Sequence, residues 1–477
     1  MLSTAYSHLK RLNPSADIRL FGQELMGQSY AIGLAEMLIK GQDASNFRHI
    51  DSLKEDAFKD TKMRYVLENP PFGTPWKGAN AKTGQEAAVL ADHEKGDKSR
   101  WPAGLPKGDD AQLLFMQSAI NKLDQETGRA AIITNGSPLF NGATSSGESQ
   151  VRRWMLEEDL IEAIIAMPTD LFYNTSIASY VWVLSRNKRP ERLGKIQLIN
   201  ATEIYHPLRK SLGNKRREFT SEDRQKIVEL YANFEENDLS QIYANEEFIY
   251  KEYTVMEPLQ RSYKIDAERI EKLEGSGKLN NFFDPAKFEE LLEKVDRGEK
   301  LGPSDQRKLK KYQGNQKTYE AIFARLKENL SQKKYLSKED FEPLLKDLLG
   351  DLDLKAADFN KILEGLSQRD KEAHMERDKK GNIIYDPATK DTEIVNVRED
   401  IGAYMKREVL PHLPQAKAFF EEKPEAKKPV FKTGAEIPFT RYFYKYQAPR
   451  PSEDLAQEFL DLEAQVKKKI KDLFGEV

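Results

Sequence analysis

Four consecutive residues, Asn69-Pro70-Pro71-Phe72, stand directly behind a short apolar run at Tyr65–Leu67. An exocyclic amine on a planar ring is a poor nucleophile because its lone pair is delocalised into the ring. Two acceptors, the Asn69 side-chain oxygen and the Pro70 carbonyl oxygen, can each take one of its hydrogens. That geometry makes the lone pair available to a methyl donor. The two prolines fix the backbone and remove competing N–H donors. Phe72 offers a face on which a base turned out of its stack can rest. The plainer reading of the same tetrapeptide is a Pro-Pro turn that ends a strand, with a buried phenylalanine.

Two acids precede it at comparable places. Glu24 closes Gly22-Gln23-Glu24, and Asp51 opens Asp51-Ser52-Leu53 behind the run Phe47–Ile50. Acids at strand carboxyl ends suit the hydroxyls of a ribose and the amino group of an adenine. Singly, each reads as an exposed acid or a helix cap. Three polar groups at three successive strand ends are harder to assign to chance. Other chemistries find little support. The absence of cysteine excludes disulfides, zinc-thiolate sites and cysteine nucleophiles. The six histidines, at 8, 49, 93, 206, 374 and 412, show no pair at metal-ligand spacing, so no metal is expected.

The elements that must position these groups alternate in type. A helix at Thr4–Leu12 leads to an apolar strand at Asp17–Phe21, a helix at Gln28–Ile39 and a strand at Phe47–Ile50. After Tyr65–Leu67, a helix containing Leu113, Met116 and Ile120 precedes a strand at Ala130–Thr134. Helix Val151–Leu156 precedes strand Leu160–Ala166, and apolar runs at Tyr180–Leu184 and Lys195–Ile199 close the series. Short buried strands alternating with helices predict an α/β, doubly wound, largely parallel sheet over residues 1–205. Ligands bind such sheets at the carboxyl ends of their strands.

Beyond about residue 220 the pattern becomes charged and mainly helical, over Ser221–Phe234, Lys308–Leu330 and Ser337–Leu366. We divide this part into a helical region at 206–379 and a helical tail at 380–477. In the last helix, which Ser452 can cap, Leu455, Phe459, Leu462, Val466, Ile470 and Leu473 recur three and four apart. Such a stripe reads as core packing or as a partner interface. The net charge of −3 excludes a wholly basic nucleic-acid binder. Two local patches remain, Arg209, Lys210, Lys215, Arg216 and Arg217 around Gly213, and Arg307, Lys308, Lys310 and Lys311; each reads otherwise as a solvated surface. No run approaches the roughly 18 apolar residues of a membrane span. Met1–Asn13 carries no signal-peptide pattern, so a cytoplasmic location is expected.

Residues 17–205 resemble the catalytic domain of S-adenosylmethionine-dependent, adenine-specific DNA methyltransferases of the γ arrangement. They are most similar to the modification (M) subunit of type I restriction-modification systems. The resemblance runs through Phe21-Gly22-Gln23-Glu24, Asp51-Ser52-Leu53 and Asn69-Pro70-Pro71-Phe72-Gly73. It continues through Trp76-Lys77, Gly104-Leu105-Pro106 with Asp110, Gly128–Gly136 and Leu171-Phe172-Tyr173-Asn174-Thr175. It implies that Glu24 binds the cofactor ribose and Asp51 its adenine. Asn69, Pro70, Pro71 and Phe72 would hold the target base, with Asp110 and Tyr173 lining its pocket. Asn-Pro-Pro-aromatic motifs also serve methyltransferases of release-factor glutamine and ribosomal RNA guanine. The tail favours the type I subunit through Asp391-Thr392-Glu393, Arg407–His412 and Pro438–Tyr444. The resemblance thereby implies partners: DNA, a specificity (S) subunit docked on residues 380–477, a restriction (R) subunit and a second M subunit.

One family feature has no counterpart. The family binds the methionine end of S-adenosylmethionine on a loop of the form Asp-Pro-x-x-Gly-x-Gly-Gly behind its first strand. Here the first glycine is Gly22, and Gly275-Ser276-Gly277 lies between helical segments. The expectation is a sheet without its first strand, in a chain starting at an internal methionine, that alone binds the cofactor weakly or not at all. Two functions follow: a DNA adenine methyltransferase when complete or complemented, or an inactive remnant that retains only subunit or DNA binding.

Overall fold

The computed structural model describes every residue except 174, 425, 427, 447, 476 and 477. The chain forms two compact units. The first comprises residues 1–251, 396–398 and 422–477; the second comprises 252–395 and 399–421.

The first unit opens with α1 (Leu2–Leu12), β1 (Gly22–Glu24), α2 (Gly27–Ile39), β2 (Phe47–His49), β3 (Tyr65–Glu68) and α3 (Gln85–His93). Next come α4 (Gln112–Lys122), β4 (Arg129–Asn135), α5 (Ser137–Phe140), α6 (Gly147–Glu157), β5 (Ile161–Ala166), β6 (Ser179–Ser185) and β7 (Lys195–Asn200). A hairpin of β8 (His206–Leu212) and β9 (Lys215–Glu218), then α7 (Ser221–Asn233) and β10 (Ser240–Ala244), complete this stretch.

Six strands share one sheet in the order β10-β7-β5-β6-β4-β3. The β3–β4 and β5–β7 pairs are parallel, whereas β6 is antiparallel to both β4 and β5. Hence β3, β4, β5 and β7 deliver their carboxyl ends to one edge. Every residue of β5 is buried, as expected of a strand covered on both faces, while β4 alternates. The core joins Met116 and Ile120 of α4, Ile132 of β4, Val151 and Met155 of α6, and Trp182 of β6.

The strand expected at Asp17–Phe21 lies instead at Gly22–Glu24, paired parallel to β2 from Gly22↔Phe47 to Glu24↔His49. A Cβ at Gly22 would stand 2.1 Å from the Phe47 ring, so a larger residue there would have to displace that ring. β1 and β2 form a separate two-stranded sheet, and β3 is the outer strand of the six-stranded one.

The boundary expected at 205 is displaced because β10 returns antiparallel to β7 and extends the sheet. The second unit begins within β11 (Ile249–Met256) and continues with β12 (Arg261–Tyr263), α8 (Ala267–Gly275), α9 (Pro285–Asp296) and α10 (Pro303–Glu328). It proceeds through α11 (Lys338–Leu349), α12 (Ala356–Gly365), β13 (Ser367–Arg369) and β14 (Asp391–Asn396) to α13 (Ile401–Tyr404) and β15 (Lys417–Phe419). Its helices close on Leu291, Ile322, Phe341, Leu345 and Ile362. The helical character expected here holds for α8–α12, with short strands at either side. Their pairings lie far apart in sequence, which period-based reading does not detect.

The boundary expected at 379 also shifts, since β16 (Thr433–Ala435) rejoins the first unit against the start of β11. Arg152 of α6, fully buried, donates to Ala435 O (2.7 Å), Pro138 O (3.2 Å) and Asn141 O (2.8 Å). Ile437 and Phe439 enter the main core. After α14 (Phe439–Phe443), the chain ends in α15 (Ser452–Phe474), of which Ser452 is the first helical residue and no cap. The stripe on α15 is exposed, from 49% at Leu455 to 77% at Leu473, which removes the core-packing reading.

Candidate active site

The chain leaves β3 through Asn69, which is exposed, Pro70, which is buried, and a half-buried Phe72. Neither the Asn69 side-chain amide nor the Pro70 carbonyl enters an internal hydrogen bond among the described residues. Two acceptors are therefore available side by side. Gly73 turns the chain at φ 61°, a left-handed conformation natural to glycine.

The next segment is sewn to residues 107–111. Ala111 N donates to Thr74 O (3.0 Å), Trp76 N to Gly108 O (3.0 Å), and the Trp76 indole N–H to Lys107 O (3.1 Å). This brings Asp110 beside the motif. Its carboxylate accepts from the backbone and side chain of Gln112 (3.1 and 2.8 Å). Gln112, itself buried, donates to Asn135 Oδ1 and accepts from Asn135 N at the end of β4. Burial pushes the Asp110 carboxyl above the usual carboxylate range, against the pull of the Gln112 bonds. Asp110, Leu113, Ser137, Asn141 and Glu148 border a cavity of about 550 Å³.

Asp51 is buried, with Oδ1 accepting from Leu53 N (3.0 Å) and Oδ2 from Gln85 Nε2 (2.9 Å). Leu53, Trp76 and Ala111 share one small core with Val89, Trp101 and Leu114. That core links the loop of Asp51, the segment behind Asn69 and the segment of Asp110. Glu24 lies one strand from Asp51's loop: Ile50 N donates to Glu24 O (3.0 Å), and Gln23 Nε2 donates to Ser52 Oγ (3.0 Å). Glu24 Oε1 accepts from Met26 N (2.7 Å), leaving Oε2 without a partner among the described residues. Each accepting oxygen keeps a second lone pair and Glu24 Oε2 keeps both, which suits the hydroxyl and amino donors of a nucleoside.

Tyr173 is placed differently. It lies in the loop behind β5, 60% exposed, and its contacts run to the β8–β9 hairpin. Asn214 N donates to Tyr173 O (3.1 Å), and Lys215 Nζ stands 5.2 Å from the ring centroid. The adjoining Asn174 of the same motif lies outside the described residues.

Sequence reasoning overlooked two participants. Gln112 ties Asp110 to Asn135, and nothing in its spacing announces that. Glu68, immediately before Asn69, is the second. It shares the face of Val66, which packs on the main core, and burial pushes its carboxyl up to about 8. Its Oε2 is buried with no hydrogen-bond partner among the described residues. An acid at a core-facing strand position was the available signal. Among the described residues no group of three or more acids and histidines could hold a metal ion, and no helix is long and apolar enough to cross a membrane.

The family described as N-6 DNA Methylase matches residues 1–268, and the chain belongs to that family. Its curated relatives are methylase subunits of type I restriction enzymes. The MjaVII methylase subunit of Methanocaldococcus jannaschii is 29% identical over 301 residues, covering 62% of this chain and 49% of that one. The HindI methylase subunit of Haemophilus influenzae is 28% identical over 214 residues, 45% of this chain and 43% of that one. Among solved structures, a type I restriction-modification system methyltransferase subunit from Streptococcus thermophilus shares 24% identity at a TM-score of 0.43, covering 52% of this chain and 49% of that one. The chain thus spans just under half the length of these relatives.

Proposed function

We propose that this chain is the methyl-transferring subunit of a type I restriction-modification complex, acting on the exocyclic amine of adenine in DNA. The observation that carries the reading is the pair of free acceptors, Asn69 Oδ1 and the Pro70 carbonyl, at the carboxyl end of β3. S-adenosylmethionine, when bound, supplies an electrophilic methyl group. Glu24 accepts from its ribose hydroxyls, and Asp51, oriented by Leu53 N and Gln85, accepts from its adenine amino group. Phe72 stacks on the flipped base. Asn69 and Pro70 would hold the two amine hydrogens, so that the nitrogen can leave its planar, conjugated geometry and offer its lone pair to the methyl carbon as that carbon's bond to the sulfonium sulfur breaks. Asp110 and Tyr173 border the entrance.

Sequence readout is assigned to a separate S subunit. Residues 380–477, and α15 with its exposed stripe in particular, serve as its docking element. A second M subunit, an R subunit and a cytoplasmic location complete the reading. A second reading, an inactive remnant that retains only binding, draws on the separation of the β1–β2 sheet from the six-stranded one.

Transfer of labelled methyl from S-adenosylmethionine to duplex DNA, measured for the chain with its S subunit, tests both readings. Asn69→Ala should lower the rate on the order of 100- to 1000-fold, as removal of one transition-state hydrogen-bond partner does. Cofactor affinity should be largely kept. Methylation by Asn69→Ala at the parental rate overturns the assignment; no methylation by the parental complex favours the remnant.

A further inference from the structure

The β8–β9 hairpin carries five cations, Arg209, Lys210, Lys215, Arg216 and Arg217, against one acid, Glu218, in a chain whose net charge is −3. His206 Nδ1 stands 3.8 Å from Asp223 of α7, and none of the five cations has a carboxylate within ion-pair distance among the described residues. On α9, by contrast, Glu290 bridges Lys287 (2.8 Å) and Lys294 (2.6 Å). Unpaired like charges on one short ribbon repel each other and persist best where an external anion balances them.

The hairpin is fastened where such an anion would pass. Arg216 N and Arg217 N donate to Asp170 O (2.9 and 3.2 Å), and Asn214 N donates to Tyr173 O. The Arg217 guanidinium donates to Thr169 Oγ1 (3.2 Å) and lies 4.0 Å from the Tyr205 ring centroid. Gly213, at φ 63°, makes the turn, and a Cβ there would stand 3.0 Å from Tyr173 O. These bonds anchor the ribbon to the loop behind β5, whose carboxyl end shares an edge with β3 and Asn69. Arg209, Lys210 and Arg216 remain exposed, and the exposed ring of Tyr173 lies 5.2 Å from Lys215 Nζ.

We infer that the β8–β9 hairpin grips the phosphate backbone of duplex DNA on the rim of the site and so holds the duplex against it. The inference rests on the reading that DNA is the substrate. The cations supply charge without base-specific geometry, so the grip is independent of sequence. The run Arg307, Lys308 and Lys310 on α10 likewise has no carboxylate at ion-pair distance among the described residues, but it belongs to the second unit, without Asn69, and serves as the control.

The test is fluorescence anisotropy of the full chain with a labelled duplex of arbitrary sequence, titrated between about 50 and 200 mM salt. Each phosphate contact contributes about 0.9 to the slope of log affinity against log salt. The triple variant Arg209→Ala, Lys210→Ala, Arg216→Ala should lower that slope by about 2–3 and weaken binding at least tenfold. These side chains are exposed, and an unchanged near-ultraviolet circular dichroism spectrum certifies the fold. Arg307→Ala, Lys308→Ala, Lys310→Ala should bind as the parent does. The hairpin is overturned by an unchanged slope in the first triple variant, by no duplex binding in the parent, or by a preference for single-stranded RNA. Asn69→Ala methylation decides the catalytic reading separately, so the two can fail independently.

Discussion

Replacing Glu68 by glutamine should make the first unit more stable, and increasingly so as the pH rises. In the folded chain the Glu68 carboxyl titrates near about 8 instead of 4.5, because burial disfavours its charged form and no cation offsets that. The unfolded chain releases this proton near the ordinary value, so between those limits the folded state binds more protons. Stability is therefore greatest below pH 4.5 and declines as the pH rises toward 8. At about 1.36 kcal/mol per pH unit, the loss is on the order of 3 kcal/mol at pH 7 and roughly 5 above pH 8. Glutamine keeps the shape, does not titrate and escapes the loss. The assay is urea unfolding of both proteins at pH 5 and pH 8 by tryptophan fluorescence. All four tryptophans, Trp76, Trp101, Trp154 and Trp182, belong to the first unit, and three of them are buried, so this signal reports the relevant unit. A midpoint gain that grows between the two pH values is expected. An equal gain at both, or a loss at pH 8, would mean that Glu68 is charged and paired, and the argument would be wrong.

The remaining predictions concern ligands and partners. Glu24→Ala should weaken S-adenosylmethionine binding in calorimetry before it slows transfer at saturating cofactor, since its free oxygen is assigned to the ribose. Phe72→Ala should leave cofactor affinity intact and weaken capture of the flipped base, where stacking contributes roughly 1–3 kcal/mol; 2-aminopurine fluorescence at the target position reads this directly. Deleting residues 452–477 should abolish co-purification with the S subunit while the tryptophan unfolding curve stays in place, because the α15 stripe contributes nothing to the core. Retained co-purification would move the docking surface elsewhere.

The periodic parts of the fold were readable in the sequence. Strands β3 to β7 and helices α4 and α6 fall within a few residues of expectation, because their apolar positions repeat with a clear period and are buried accordingly. β1 was misplaced by the apolar appearance of residues 17–21, although the observed pairing begins at Gly22, which carries no side chain against Phe47. The later strands were hidden because β10, β12 and β16 pair with segments distant in the chain, a property no local window contains. In the candidate site, the residue types of Asn69, Pro70 and Phe72 suggested a place for a planar amine, whereas Asp110 entered through the family resemblance alone. The bonds that sew Thr74 and Trp76 to residues 107–111 are mostly backbone bonds and leave no mark in sequence.

The return of residues 433–439 to the first unit has a consequence for how the protein is made. Arg152 finds its acceptor Ala435 O at a separation of 283 residues. At roughly 5–20 residues per second, the ribosome needs about 15–60 s to supply that partner after Arg152 has been synthesised. Throughout that interval the α6 surface destined to cover Ala435 and Ile437 is incomplete, and the Arg152 guanidinium has only Pro138 O and Asn141 O of its three acceptors. The first unit therefore cannot close while it is being translated, even though most of its sheet has already emerged. Its completion waits until residues 433–439 have emerged and can pair with β11 and α6.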